Sequence, residues 1–183
     1  KSSNHPWQLS FPEKFIGPGV YALYYVGDYE LYAQVARSNR EGFVRPIYVG
    51  KAVPPGWRTA RAGQSETSDL FRRLSEHRRS IDRAENLRPD EFRCRFMVLA
   101  QPESELIVPI EAELIRRRTP LWNSVVDGFG NHDPGGGRYN QAPSEWDILH
   151  PGRPWVRRLT GKAALVDDVV RQVQRAVAHS DLP

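Results

Sequence analysis

Arg73, His77 and Glu111 are residues of this 183-residue chain whose types and spacing could do chemistry. On a helix, residues advance about 100° each. A helix through "DLFRRLSEHRRSIDRA" therefore sets Leu70, Leu74 and Ile81 on one side, with His77 among them and Arg73 one turn earlier at the edge of that face. A second helix within 103–118 sets Ile107, Ile110, Leu114 and Ile115 on its apolar side, and Glu111 falls inside the stripe. A carboxylate facing a core is costly unless it is paired, protonated or bound to a metal. Taken singly, His77 reads first as a hydrogen-bonded core histidine, and Glu111 equally as half of a buried ion pair with an arginine. On inward faces of two helices beside one sheet, the three are the groups that phosphodiester hydrolysis needs. They offer a carboxylate for a divalent metal, a guanidinium for developing charge and a residue that transfers a proton.

The elements that must position them follow from pattern. "GVYALYYV" (19–26) is aromatic and β-branched, ends in a Gly-Asp pair and predicts a strand. "GFVRPIYVG" (42–50) predicts a second, with Pro46 favouring a sheet edge or a bulge. "EFRCRFMVLA" (91–100) alternates and predicts a third. Ser68 or Asp69 can cap the first helix, and Pro109 fits the first turn of the second. Residues 1–18 read as an arm laid over the domain, 53–68 as a loop, and 127–143, with "DGFGNHDPGGGR", as a long glycine-rich loop. "GKAALVDDVVRQVQRAVAH" predicts an amphipathic helix with Leu165, Val166, Val169, Val170, Val173 and Val177 on one stripe. That stripe could pack on its own sheet, the favoured reading, or form a dimer surface.

Composition narrows the function classes. Hydrophobic residues make up 39% and charged residues 26%, as in a globular protein, and no apolar run approaches the roughly 18 residues that span a bilayer. No signal-peptide pattern is present, and the start at Lys1 leads us to expect native sequence ahead of it. Cys94 is the only cysteine, so no intrachain disulfide can form, and a cytoplasmic location is expected. Cys94 also lies mid-strand, where core is a better reading than nucleophile. The five histidines show no HxxxH or Cys/His spacing for zinc, and neither "GPG" nor "DPGGGR" bridges a strand to a helix as a phosphate loop must. The net charge is +4, carried by 22 arginines against 4 lysines. Arginine's planar fork bonds phosphate and the guanine edge in a bidentate way that lysine cannot copy.

The order Gly19-Val20-Tyr21, Tyr48-Val49-Gly50, Arg73, His77, Glu111 and Asn123 resembles the GIY-YIG nuclease superfamily, in its type II restriction endonuclease branch. The similarity covers roughly residues 19–125. The chain departs in one respect: 26 residues separate Tyr21 from Tyr48, where many members have a short hairpin, so 28–46 reads as an insertion. The resemblance implies an α+β fold, a small antiparallel sheet of three central strands flanked by helices. It covers the core (19–125) of a single nuclease domain of 1–183, whose arm (1–18) and loop with a helical extension (126–183), read as serving DNA contact or dimerisation, lie outside it. It implies that Glu111 holds one divalent metal, Mg²⁺ with Mn²⁺ able to substitute, and that Tyr21 and Tyr48 face one cleft. Tyr21 would take the proton from the attacking water with His77 relaying it, Arg73 would stabilise phosphate charge, and Asn123 would orient the metal shell or a phosphate oxygen. A phenol with a pKa of about 10 needs a nearby cation to serve at neutral pH, and the metal, Lys51 or Arg73 could supply it.

The implied substrate is double-stranded DNA at a palindromic site, cut by a homodimer, with no membrane partner. Lys51 and the loop residues Asn131, His132 and Arg138 are expected DNA contacts, and arginine's preference for guanine favours a G/C-containing site. A homing or repair nuclease of the same superfamily, or a DNA-binding protein on an inactive scaffold, are the alternatives. The second tripeptide copy, Tyr25-Val26-Gly27, reads as strand plus turn and not as a site.

Overall fold

A computed structural model describes residues 7–11, 13–53 and 67–179. The expected strands form β2 (Gly19–Tyr25), β3 (Tyr48–Ala52), which begins at Tyr48 and not at 42, and β4 (Phe92–Val98), all antiparallel. The sheet has four strands, not three: the N-terminal arm contributes β1 (Trp7–Gln8), which pairs with β4, and the order is β1-β4-β2-β3. A two-residue strand carries too little alternation to be read from sequence. β3 is an edge strand, so Pro46 sits just outside it and costs the ladder no hydrogen bond. Most of the loop expected at 53–68 lies outside the described residues.

The helices are α1 (Ala33–Gly42), α2 (Asp69–Arg83), α3 (Ile107–Arg118), α4 (Leu121–Ser124), α5 (Glu145–Leu149) and α6 (Val166–His179). The segment read as an insertion thus holds a helix, α1. It is fastened by Asn39, whose side-chain amide donates to the Tyr25 and Arg45 carbonyls and whose oxygen accepts from the Arg45 amide.

Because side chains alternate across a strand, β2 serves two cores. Tyr21, Leu23 and Tyr25 join Phe92, Cys94, Leu70, Leu74, Ile81, Trp122 and Trp146 in the larger one. Val20, on the opposite face, meets Leu99 and Ile107 in the smaller one, with Ile110 against it. α2 and α3 therefore cover opposite faces of the sheet. Val169, Val173 and Val177 of α6 reach the larger core, so this stripe packs within the chain, as favoured. Its start does not: Leu165 and Val166 are exposed, and the helix begins at Val166.

One polar chain runs through the larger core. The Trp122 indole donates to the Tyr32 hydroxyl at 3.0 Å, Tyr32 lies 2.7 Å from His150 Nε2, and His150 Nδ1 lies 2.8 Å from Asn86 Oδ1. A neutral imidazole satisfies every link, with Nδ1–H donating to Asn86 and Nε2 accepting from Tyr32. Burial, helped by the Arg153 charge, pushes the His150 pKa down to about 3. In the unfolded chain it titrates near 6.5. As pH falls below about 6.5 the unfolded chain takes up a proton that the folded one refuses, so stability drops by about 1.4 kcal/mol per unit. Urea unfolding at pH 7 and pH 5 should differ by about 2 kcal/mol from His150 alone. A stability that is flat over this interval would show that the imidazole is not held neutral.

Candidate active site

Tyr21 and Tyr48 point to the same face from neighbouring strands, their rings 6.2 Å apart. The register explains the tripeptides. Tyr21 stands opposite Gly50, and any side chain at 50 would collide with the Tyr21 hydroxyl. The glycine of "YVG" makes room for the phenol of "GVY". α2 then brings His77 over the pair: His77 Nε2 lies 2.6 Å from the Tyr21 hydroxyl, with the Tyr48 ring 5.2 Å away. His77 is thus a buried, hydrogen-bonded histidine, and its partner is the site tyrosine.

Burial, reinforced by Arg73, His132 and Arg153, drives the His77 pKa well below the usual imidazole value. In a neutral ring with its proton on Nδ1, Nε2 is the acceptor and the Tyr21 O–H donates to it. Burial also drives the Tyr21 phenol well above its usual value, with Tyr48 and Glu111 adding to the rise and Arg73 opposing it. Burial raises Tyr48 too, again against Arg73. The cation needed to lower the phenol is present, but desolvation outweighs it.

The glycine-rich loop closes the site. Phe129 stacks on His77, with ring centres 4.5 Å apart and planes 15° apart, and sits edge-on to Tyr48. Arg73 donates to the Gly130 carbonyl at 3.2 Å, reaches Glu76 at 3.3 Å and lies 2.6 Å from His132 Nε2. A Cβ at residue 130 would come within 3.0 Å of the Arg73 guanidinium and 3.1 Å of the Tyr48 hydroxyl, tighter than most side chains tolerate. Of the three loop residues expected to contact DNA, His132 faces Arg73, whereas Asn131 and Arg138 are exposed, Arg138 donating to the Pro134 carbonyl. Sequence reasoning missed Glu76, Phe129 and Gly130. An aromatic set between glycines in "GFG" is the one signal that could have marked this segment.

Glu111 approaches from α3, and its partner is not an arginine: the Lys51 ammonium bonds its carboxylate. Lys51 alternates with Gly50 on β3 and so turns to the α3 face. It is a partner of Glu111, leaving Arg73 as the cation beside the tyrosines. Asn123 is bonded to the strand next to Tyr48. Its Oδ1 accepts from the Val49 amide at 2.8 Å and its Nδ2 donates to the Val49 carbonyl at 2.9 Å. Both ends of the amide bond the free edge of β3, so Asn123 fastens the strand that carries Tyr48 and Gly50. Cys94 is core, and burial raises its thiol to about 12.

Among the described residues no helix is long and apolar enough to cross a membrane. A family model described as the Eco29kI GIY-YIG domain matches residues 13–177. No curated protein matches the chain. GIY-YIG nucleases generally use a divalent metal, and the donors here fit a sparse site. Glu111 offers hard oxygens already turned to one cation, Lys51. Among the described residues no three His, Cys, Asp or Glu side chains gather. A single carboxylate suits Mg²⁺, which keeps its waters and takes substrate phosphate, and does not suit zinc, which wants three or four protein donors. The match spans nearly the whole chain, extension included: the chain belongs to the Eco29kI GIY-YIG family of type II restriction endonucleases, and its domain is that of a nuclease acting on DNA.

Proposed function

We propose that this protein is a site-specific double-strand DNA endonuclease that hydrolyses phosphodiester bonds with Tyr21, Tyr48, Arg73, His77 and Glu111. The observation that carries this reading is the 2.6 Å contact between the Tyr21 hydroxyl and a neutral, buried His77. By donating its own proton to His77, the phenol keeps its lone pairs free to accept one from water. As water oxygen bonds to phosphorus, its proton passes to Tyr21, that of Tyr21 passes to His77, and the bond to the leaving oxygen breaks. No standing phenolate is required, which removes the difficulty of its raised pKa. Burial and the Arg73 charge disfavour a lasting imidazolium, so once the bond is cut His77 gives its proton back through Tyr21 to solvent, and the leaving oxygen takes up a proton from solvent.

Arg73, fixed by the Gly130 carbonyl and Glu76, directs its remaining donors at non-bridging phosphate oxygens, where charge develops. The Tyr48 hydroxyl stands beside it, both groups close to Gly130. Glu111 would hold the divalent ion, Mg²⁺ with Mn²⁺ able to substitute, which supplies electrostatic stabilisation of the phosphate and the leaving oxygen. Lys51 then has to release the carboxylate and is free to meet the DNA backbone. The exposed Asn131 and Arg138 extend the same surface toward the duplex. Cutting both strands of a palindrome implies a homodimer with one site for each strand, in the cytoplasm, where incoming DNA is met. Incubation with plasmid DNA and Mg²⁺ tests the reading: discrete fragments support it, a smear indicates a nonspecific nuclease, and intact but gel-shifted DNA indicates a binding protein.

A further inference from the structure

A buried arginine in the C-terminal extension is not accounted for by any of this. Arg153 is 2% exposed and Asp147 4%. Arg153 Nε donates to Asp147 Oδ1 at 2.6 Å, and the other Asp147 oxygen accepts from the Ser144 hydroxyl at 2.7 Å. The rest of the fork is turned to the loop that closes the site. Nη1 donates to the Phe129 carbonyl at 3.3 Å and to the Asn131 carbonyl at 3.0 Å, and Nη2 donates to the Gly128 carbonyl at 3.0 Å. The guanidinium lies 4.6 Å from the Trp146 ring and 4.9 Å from the Trp155 ring. One side chain thus gathers the carbonyls on both sides of Gly130.

We propose that Arg153, held by Asp147, is the positioning residue that sets the 128–132 loop against Arg73 and His77. Three contacts depend on that backbone path: Phe129 stacked on His77, the Gly130 carbonyl on Arg73, and His132 on Arg73. Phosphodiester hydrolysis rewards placement, and a displacement of about 1 Å can cost about 10²-fold. A buried ion pair is weak evidence of stabilisation, since apolar residues of similar volume often do as well. A fork that spends three bonds on one loop is better explained by the conformation it enforces. The extension is then part of the cleavage machinery, beyond any part in DNA contact or dimerisation. The inference rests on the nuclease reading of Arg73 and His77.

Two variants separate positioning from stability. Arg153→Lys keeps the charge opposite Asp147 but cannot reach three carbonyls, and Arg153→Met/Asp147→Leu replaces the pair with apolar bulk. Each is measured by thermal melting, DNA affinity, single-turnover cleavage and the His77 ring-proton NMR shift, which the Phe129 face holds upfield. The expected result is a double variant melting near wild type, DNA affinity within about two-fold, and cleavage slower by about 10²-fold in both. The His77 signal should move downfield in both variants. An unmoved signal in folded variants overturns the proposal. So does failure of both to fold, because the pair is then a structural element only. A moved signal with cleavage unchanged supports the positioning and instead sinks the assignment of Arg73 and His77 to catalysis.

Discussion

Replacing Glu111 with Gln is expected to slow cleavage by about 10³-fold or more while leaving DNA binding within about two-fold. The substitution keeps length and volume and removes only the charge. A neutral amide oxygen is a poor ligand for a hard divalent ion, and no cluster of other carboxylates stands by among the described residues. Lys51, now facing Glu111, would lose its counter-charge and turn to solvent, where it favours DNA. Binding and cleavage should therefore separate. Titration of the protein with Mn²⁺ gives a readout apart from activity, with affinity falling alongside the rate. If Glu111→Gln binds Mn²⁺ and cuts as wild type does, the metal site lies elsewhere.

Tyr21→Phe should lower the single-turnover rate by about 10²- to 10⁴-fold, the range of a proton-transfer group, with DNA affinity retained. The phenol is wedged between Gly50 and His77, so its ring can persist without the hydroxyl. The relay ends there, because His77 has no direct path to the water. Tyr48→Phe should also impair cleavage, through the loss of a hydroxyl beside Arg73. Tyr25→Phe makes the control. Its hydroxyl accepts from the Tyr29 amide at 2.8 Å, away from the site. Removing it should cost about 1–3 kcal/mol of stability and leave the cleavage rate of the folded protein within about two-fold. A Tyr21→Phe enzyme that cuts at near wild-type rate would remove Tyr21 from the proton path.

Much of the site was legible because helical and strand periods map residue number onto face. The faces of His77 and Arg73 on α2 and of Glu111 on α3 could be read that way, whereas Tyr21 and Tyr25 share one face of β2, and it was the order of the motifs, with no room for a turn between Tyr21 and Tyr25, that separated the two "YVG" copies. Periodicity says which way a residue faces, and the ordered set of residues says which family shares it. Neither says what stands opposite. That Glu111 would meet Lys51 and not an arginine depends on β3 being the edge strand beside α3. That Asn123 would spend its amide on Val49 depends on α4 lying along that edge. The fourth strand escaped notice because two residues carry no period.

The sequence by itself determined the family, the α+β class, the faces of the two helices and the residue types available for hydrolysis, since these depend on local pattern and order. Only the tertiary structure decided the contact between Tyr21 and His77 and the cost of ionising either group, because desolvation is set by everything packed around them. It also decided that the loop at 128–132 and the pair Arg153 and Asp147 belong with residues up to 80 positions earlier in the chain. Backbone carbonyls are the same at every residue, so no composition or spacing marks the ones a buried arginine will select.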